Sequence, residues 1–195
     1  MAFPVTKVLI GVGTAGVLGG SSYGIYSLTK DNDSVENYLK KQSLTVVSYG
    51  ANEKWEKAFK TYSLEKAEKG SEILDRAITK GNDIRDWCKD KLKEVINSTS
   101  SPIYQLASQW CVEYTTIKEQ INSSKQLESN LATLNSKHSQ LPKAIQNELK
   151  KITDTDSANP NGAKIKKWCE NNLSRRYSDA QEIHYTNVKQ HCFTA

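Results

Sequence analysis

The residues of this sequence best suited to chemistry are four cysteines, Cys88, Cys111, Cys169 and Cys192, two of which follow a tryptophan directly (Trp87, Trp168). They form two pairs with one spacing, since 88 to 111 and 169 to 192 are equal intervals. Three chemistries compete for such thiols. A disulfide needs Cα atoms about 4.4–6.8 Å apart, which two closely packed antiparallel helices can supply. Four cysteines allow three connectivities, and the equal spacing favours Cys88–Cys111 with Cys169–Cys192. Zinc is poorly served: there is no CxxC, and His184, His191 and Cys192 on one helical face lack a fourth ligand. A cysteine nucleophile needs an activating neighbour, whereas each cysteine here sits on an apolar stripe. Packing as a small buried hydrophobe is the alternative to the disulfide. His138 stands in a polar stretch and reads as solvated. No catalytic residue, metal or cofactor site is assigned.

The elements that hold these cysteines occur twice. Ile84, Trp87, Cys88 and Leu92 recur at one constant offset as Ile165, Trp168, Cys169 and Leu173, and the same offset carries Tyr104 onto Tyr185 and Cys111 onto Cys192. Six positions in register mark a duplication whose repeat core is Ile84, Trp87, Leu92 and Tyr104 with Ile165, Trp168, Leu173 and Tyr185. Trp110 becomes His191 in the second copy, so the copies have diverged. The midpoint of each cysteine pair falls in a turn-rich segment, 97–102 in one copy and 178–181 in the other. Each motif therefore predicts a helical hairpin, 84–96 with 103–121 and 165–176 with 179–193. Trp87 and Trp168 are expected to lie buried against the partner helix.

The fold class expected is all-α. Apolar residues recur at steps of three and four: Trp55, Ala58, Phe59 and Tyr62 share a face, and Gly70 can close that helix in a left-handed conformation. Ser71 reads as the cap of a helix bearing Ile73, Leu74, Ala77 and Ile78. Ser101-Pro102 reads as a helix start, because proline at the first helical position loses no hydrogen bond. Only Leu44 to Tyr49 shows two-residue alternation. Thr153 to Gly162 reads as a loop, and 122–129 as the boundary between copies. The domain reading is a membrane anchor over 1–30, a connector over 31–50, and helical repeats over 51–125 and 126–195.

Residues 8–28 carry no charge, are bounded by Lys7 and Lys30, and hold six of the ten glycines. At about 1.5 Å per residue a helix of this length spans a ~30 Å hydrocarbon core. Gly16, Gly20 and Gly24 fall at i, i+4 and i+8 and offer a smooth ridge for packing a second helix. A cleaved secretory signal is the rival reading, with Lys7 as basic head and Gly20-Ser21-Ser22 as cleavage site. An uncleaved anchor is favoured, with the C-terminal part outside the cell.

Composition excludes more than it assigns. With 27 Lys+Arg against 22 Asp+Glu the net charge is +5, and the residues after Lys30 carry only +3 with both signs interleaved. That is no footprint for nucleic acid. The expected partners are the lipid bilayer, through the N-terminal helix, and host or self proteins. The glycine-rich anchor, the doubled Ile-x-x-Trp-Cys-x-x-x-Leu motif and the Lys- and Asn-rich helices resemble the large paralogous families of uncharacterised membrane-anchored proteins in haemotropic mycoplasmas. The resemblance implies a wall-less, host-dependent bacterium and a membrane protein facing the host, and it transfers no functional residue. The expected function is a single-pass, surface-displayed helical antigen or adhesion module without catalytic activity. A secreted or membrane-tethered spacer, or an enzyme using Cys/His chemistry, are the alternatives.

Overall fold

Local sequence rules place most of the helices. The computed structural model describes residues 32–121, 126–153, 156–179 and 183–194, and among them it has nine α-helices and one two-stranded sheet. Ser34 caps α1 (Val35–Lys41) by accepting from the Asn37 N–H, and Thr116 with Glu119 forms a capping box on α5 (Ile117–Gln120). Asn130 accepts two amides at the start of α6 (Leu131–Lys137). Proline opens α4 (Pro102–Trp110) and α8 (Pro160–Asn172). The turn after α2 (Asn52–Glu65) closes on Gly70 at φ +60°. The remaining helices are α3 (Gly81–Lys91), α7 (Lys143–Leu149) and α9 (Ile183–His191). The sheet pairs β1 (Asp33–Ser34) with β2 (Val95–Ile96) antiparallel.

Backbone hydrogen bonds show the duplication more fully than side chains do. In the first copy the Val47 N–H donates to Cys111 O (2.9 Å) and the Glu113 N–H to Thr45 O (2.8 Å). In the second, at the offset of the Trp-Cys motif, Glu128 donates to Cys192 O (2.8 Å) and Thr194 to Gln126 O (2.9 Å). The bridges Val46–Val112 and Leu127–Phe193 obey the same offset. A second clasp repeats too. Val35 N–H donates to Glu94 O and Glu36 N–H to Leu92 O; their counterparts are Ile117 to Arg175 O and Lys118 to Leu173 O. Its N-terminal strand is shifted by one further residue. Each copy is thus a capped helix, a bridging strand, a helix, the Trp-Cys helix, a short strand, the second cysteine helix and a closing strand, with α7 added before the Trp-Cys helix in the second copy.

Several expectations change. The stretch read as a connector, 31–50, holds β1, α1 and the bridging strand of the first copy from residue 32 on. Residues 126–128 lie inside the second copy, and the link between copies is the short extended segment between Val112 and Thr116. The helix expected over 103–121 stops at Trp110: Cys111 is tied to Cys88, and the backbone beyond it pairs with 45–47. No helix forms over 71–80, where core side chains occupy the backbone groups. Tyr62 Oη accepts from the Ile73 N–H (3.1 Å), Trp110 Nε1 donates to Ser71 O (2.8 Å), and Leu74 is left 86% exposed. The anchor over 8–28, with Gly16, Gly20 and Gly24, lies outside the described residues. Among the described residues no helix is long and apolar enough to cross a membrane.

Two cores follow the two copies. One gathers Val35, Leu39, Trp55, Tyr62, Ile84, Trp87, Leu92 and Trp110; the other Ile117, Leu134, Ile145, Leu149, Ile165, Trp168 and Val188. A buried glycine sets helix spacing in each. A methyl on Gly81 would stand 2.5 Å from the Trp55 carbonyl carbon, and one on Gly162, its counterpart at the same offset, would meet the Leu131 carbonyl. That contact identifies α6 as the structural counterpart of α2, a match that sequence alignment alone does not make.

Candidate functional site

The Trp-Cys dipeptide builds the same small constellation in each copy. Its helix turns Ile84, Trp87 and Cys88, or Ile165, Trp168 and Cys169, toward the core, all within 2% of full burial. The cysteines form the disulfides Cys88–Cys111 and Cys169–Cys192, each with Cα atoms 5.6 Å apart, and no thiol is free. A buried indole must place its N–H, and each finds a carboxylate. Trp87 Nε1 donates to Asp75 Oδ1 at 2.8 Å and Trp168 Nε1 to Glu148 Oε2 at 2.7 Å. The second carboxylate oxygen takes a basic side chain, Lys91 at 3.0 Å on Asp75 and His184 at 3.2 Å on Glu148. Both carboxyls sit below the usual carboxylate range: burial pushes them up, and the hydrogen bonds from the basic partner and the indole outweigh it. Asp75 and Glu148 are not related by the repeat offset and stand at different distances before their tryptophans, so the chemistry repeats where the alignment does not.

The other repeat positions complete this setting. Leu92 is buried, while Leu173 is half-buried. Tyr104 packs edge-on against Tyr38 at 6.4 Å, and Tyr185 against Tyr177 at 4.9 Å. Trp168 meets the partner helix through His184, with ring centroids 6.3 Å apart. His191, in place of Trp110, is buried, and its carbonyl accepts from Lys137. His138 is half-buried at the end of α6. Among the described residues no three His, Cys, Asp or Glu side chains converge as metal ligands would.

A second constellation, invisible to motif reading, joins the copies. Arg175 reaches from the second copy to make a two-pronged ion pair with Glu68, just beyond α2, at 2.7 and 2.9 Å. Its Nε also donates to Asn172 Oδ1. Arg176 donates its backbone N–H to Glu65 Oε1 (2.8 Å) and a guanidinium N–H to Gln109 O, with the guanidinium 4.2 Å from the Tyr114 ring centroid. Thr61 Oγ1 donates to Ser174 O and accepts from Tyr114 Oη, both at 2.7 Å. Arg175 beside it holds the Glu68 carboxyl low, and burial pushes the Tyr114 phenol up to about 12. Burial drives the Arg176 guanidinium down. Arg175 and Arg176 are two of only four arginines beside 23 lysines. Where a buried cation must pair in a plane and stack on rings, guanidinium outperforms ammonium. That scarcity is the signal sequence reading could have used.

Comparison with known protein families, with curated proteins and with solved structures gives no match to this chain. What the constellations do chemically therefore rests on their own geometry. They lock two helical units internally by a disulfide and a tryptophan–carboxylate pair, and to each other by an arginine junction. Carboxylates and cations line the outer faces, many as surface pairs such as Lys54–Glu113 at 2.5 Å and Arg76–Asp90 at 2.7 Å.

Proposed function

We propose that this chain is a single-pass membrane protein whose residues 8–28 anchor it and whose two helical copies stand outside the cell as an antigen or adhesion module. One observation carries the reading: both cysteine pairs are closed, at equivalent places in the two copies. Such disulfides persist where the compartment is oxidising, not in a reducing cytosol. The uncharged run between Lys7 and Lys30 supports tethering, and the resemblance to host-facing families supports display. A stiff pair of units with a polar outer face suits presentation: the core is held by covalent and aromatic contacts, so the surface can vary without loss of fold.

Protease treatment of intact cells tests it. Loss of residues 31–195 from the cell-associated protein is expected, with both disulfides found by non-reducing peptide mapping of the released fragments. Protection of those residues until the membrane is opened would overturn the outward orientation.

A further inference from the structure

The end of the first copy nearest the anchor is built differently from its counterpart in the second. From Val95 to Val112 the sequence carries no ionisable side chain other than those of Tyr104 and Cys111, whereas the equivalent stretch, 176–193, holds Arg176, Asp179, Glu182, His184, Lys189 and His191. In the second copy, position 176 is covered by α2 and Gln109 of the first and by Tyr114 of the link. Its counterpart Val95 is 68% exposed. Beside it, Asn32, Ile96, Asn97, Ser101 and Ile103 line a shallow groove. The exposed side of this end is thus a valine, a half-buried isoleucine and a turn of hydroxyl and amide side chains. Nearby carboxylates are already neutralised, Asp33 by Lys41 at 3.0 Å and Glu94 by Lys91 at 2.8 Å.

The chain's reach says what this end meets. Asn32 stands only four positions beyond Leu28, the last residue of the apolar run. At no more than about 3.6 Å per residue that is a tether of at most roughly 14 Å. The polar layer on one side of a bilayer is about 5–7 Å deep, taken as half the difference between full and hydrocarbon thickness. Resting on the anchor proposed above, we infer that Val95 and the 97–101 turn lie on the bilayer interface, Val95 entering the headgroup layer while the serine and threonine hydroxyls bond lipid phosphate and ester oxygens. Removal of charge from this end and its retention in the distal copy follow from that seat, because an unpaired charge loses hydration at such a surface. Lys93, exposed just before Val95, is placed to meet lipid phosphate.

The test uses the full chain in phosphatidylcholine vesicles, with the photo-crosslinking residue p-benzoylphenylalanine at position 95, 100 or 167. Lipid adducts are expected from 95 and 100 and none from 167, on the outer face of α8. Adducts from 95 to a second copy of the chain would make this end a self-association surface and overturn the inference. So would equal lipid yields at 95 and 167 in protein that alkaline carbonate leaves in the membrane. Carbonate release of the chain would instead show the anchor reading itself to have failed, and the inference with it. As a second readout, Val95→Glu should keep both disulfides and the thermal midpoint. It should also abolish the slowing of amide exchange over 97–101 that vesicles produce in the unmodified chain; slowing that persists in the variant would count against the bilayer seat.

Discussion

Trp87 and Trp168 each combine the largest apolar area in their helix with an indole hydrogen bond to a carboxylate. Replacing Trp87 with alanine removes both, and the expected loss is about 3–5 kcal/mol of folding stability, read by chemical denaturation. Asp75→Asn keeps an oxygen for the indole while weakening the hold on Lys91, which is surface-screened; its cost should be a small fraction of the tryptophan's. Gly81 makes a sharper case. Its Cβ would meet backbone atoms of Trp55 and Glu56 that cannot swing aside. Gly81→Ala should therefore destabilise by about 1–3 kcal/mol as an overpacked core site does. Gly50→Ala, with open space around the added methyl, should leave the thermal midpoint unchanged. Equal midpoints for the two variants would refute the close approach of α3 to α2.

At the scale of elements, each disulfide joins the Trp-Cys helix to the end of the second cysteine helix and so fixes where the closing strand begins. Cys111 ends α4, and Val112 immediately pairs with Val46; Cys192 ends α9, and Phe193 pairs with Leu127. A covalent link at this corner constrains a loop of about 23 residues in the unfolded chain, worth roughly 3 kcal/mol by loop entropy. Reductant should lower stability by about that much per copy while leaving the tryptophan contribution in place. Because each copy owns its core, disulfide and strand clasp, Cys111→Ser with Cys88→Ser should loosen residues 32–113 first. Amide exchange resolved by peptide would show uniform loosening of both copies if the units were not separable in this way.

Across the whole molecule, the arginine junction couples the copies and gives stability an acid dependence. The folded Glu68 carboxyl sits below its ordinary value of 4.5 because Arg175 donates to both oxygens. A group depressed in the fold contributes in full above its unfolded pKa and loses that contribution as pH falls through the folded value. Stability should therefore decline on acidification below about pH 4.5, and Asp75 and Glu148 act with the same sign. Glu68 is 52% exposed, so its share is modest after solvent screening. Glu68→Gln should flatten the acid limb measurably, and a double-mutant cycle with Arg175→Lys should show coupling between the two. Additive effects would mean that the pair does not hold the copies together. The formal charge is distributed unevenly: 13 bases and 13 acids over 32–113, 12 bases and 8 acids over 114–195. The second copy thus carries the positive excess, and the uncharged stretch Val95 to Val112 belongs to the first.

Helical periodicity, the Ser101-Pro102 start, the Gly70 stop and the constant offset of the Trp-Cys motif were readable from residue types, because each depends on neighbours a few positions away or on identity between copies. The cysteine pairing followed from the same symmetry. Only the tertiary structure decided the limits of the copies, since backbone pairing of 45–47 with 111–113, and of 126–128 with 192–194, uses amides that nearly every residue carries and leaves no mark in side-chain type. It also decided the coil over 71–80, where Tyr62 and Trp110, distant in sequence, claim the backbone groups a helix would need. The match of α2 with α6 rests on one close backbone approach at Gly81 and Gly162. The indole acceptors Asp75 and Glu148 and the Arg175–Glu68 junction came from folding as well, because a buried polar group selects whichever partner the packing brings within reach. Nearby pattern sets which helices form, and long-range hydrogen bonding sets how they are divided into units and joined.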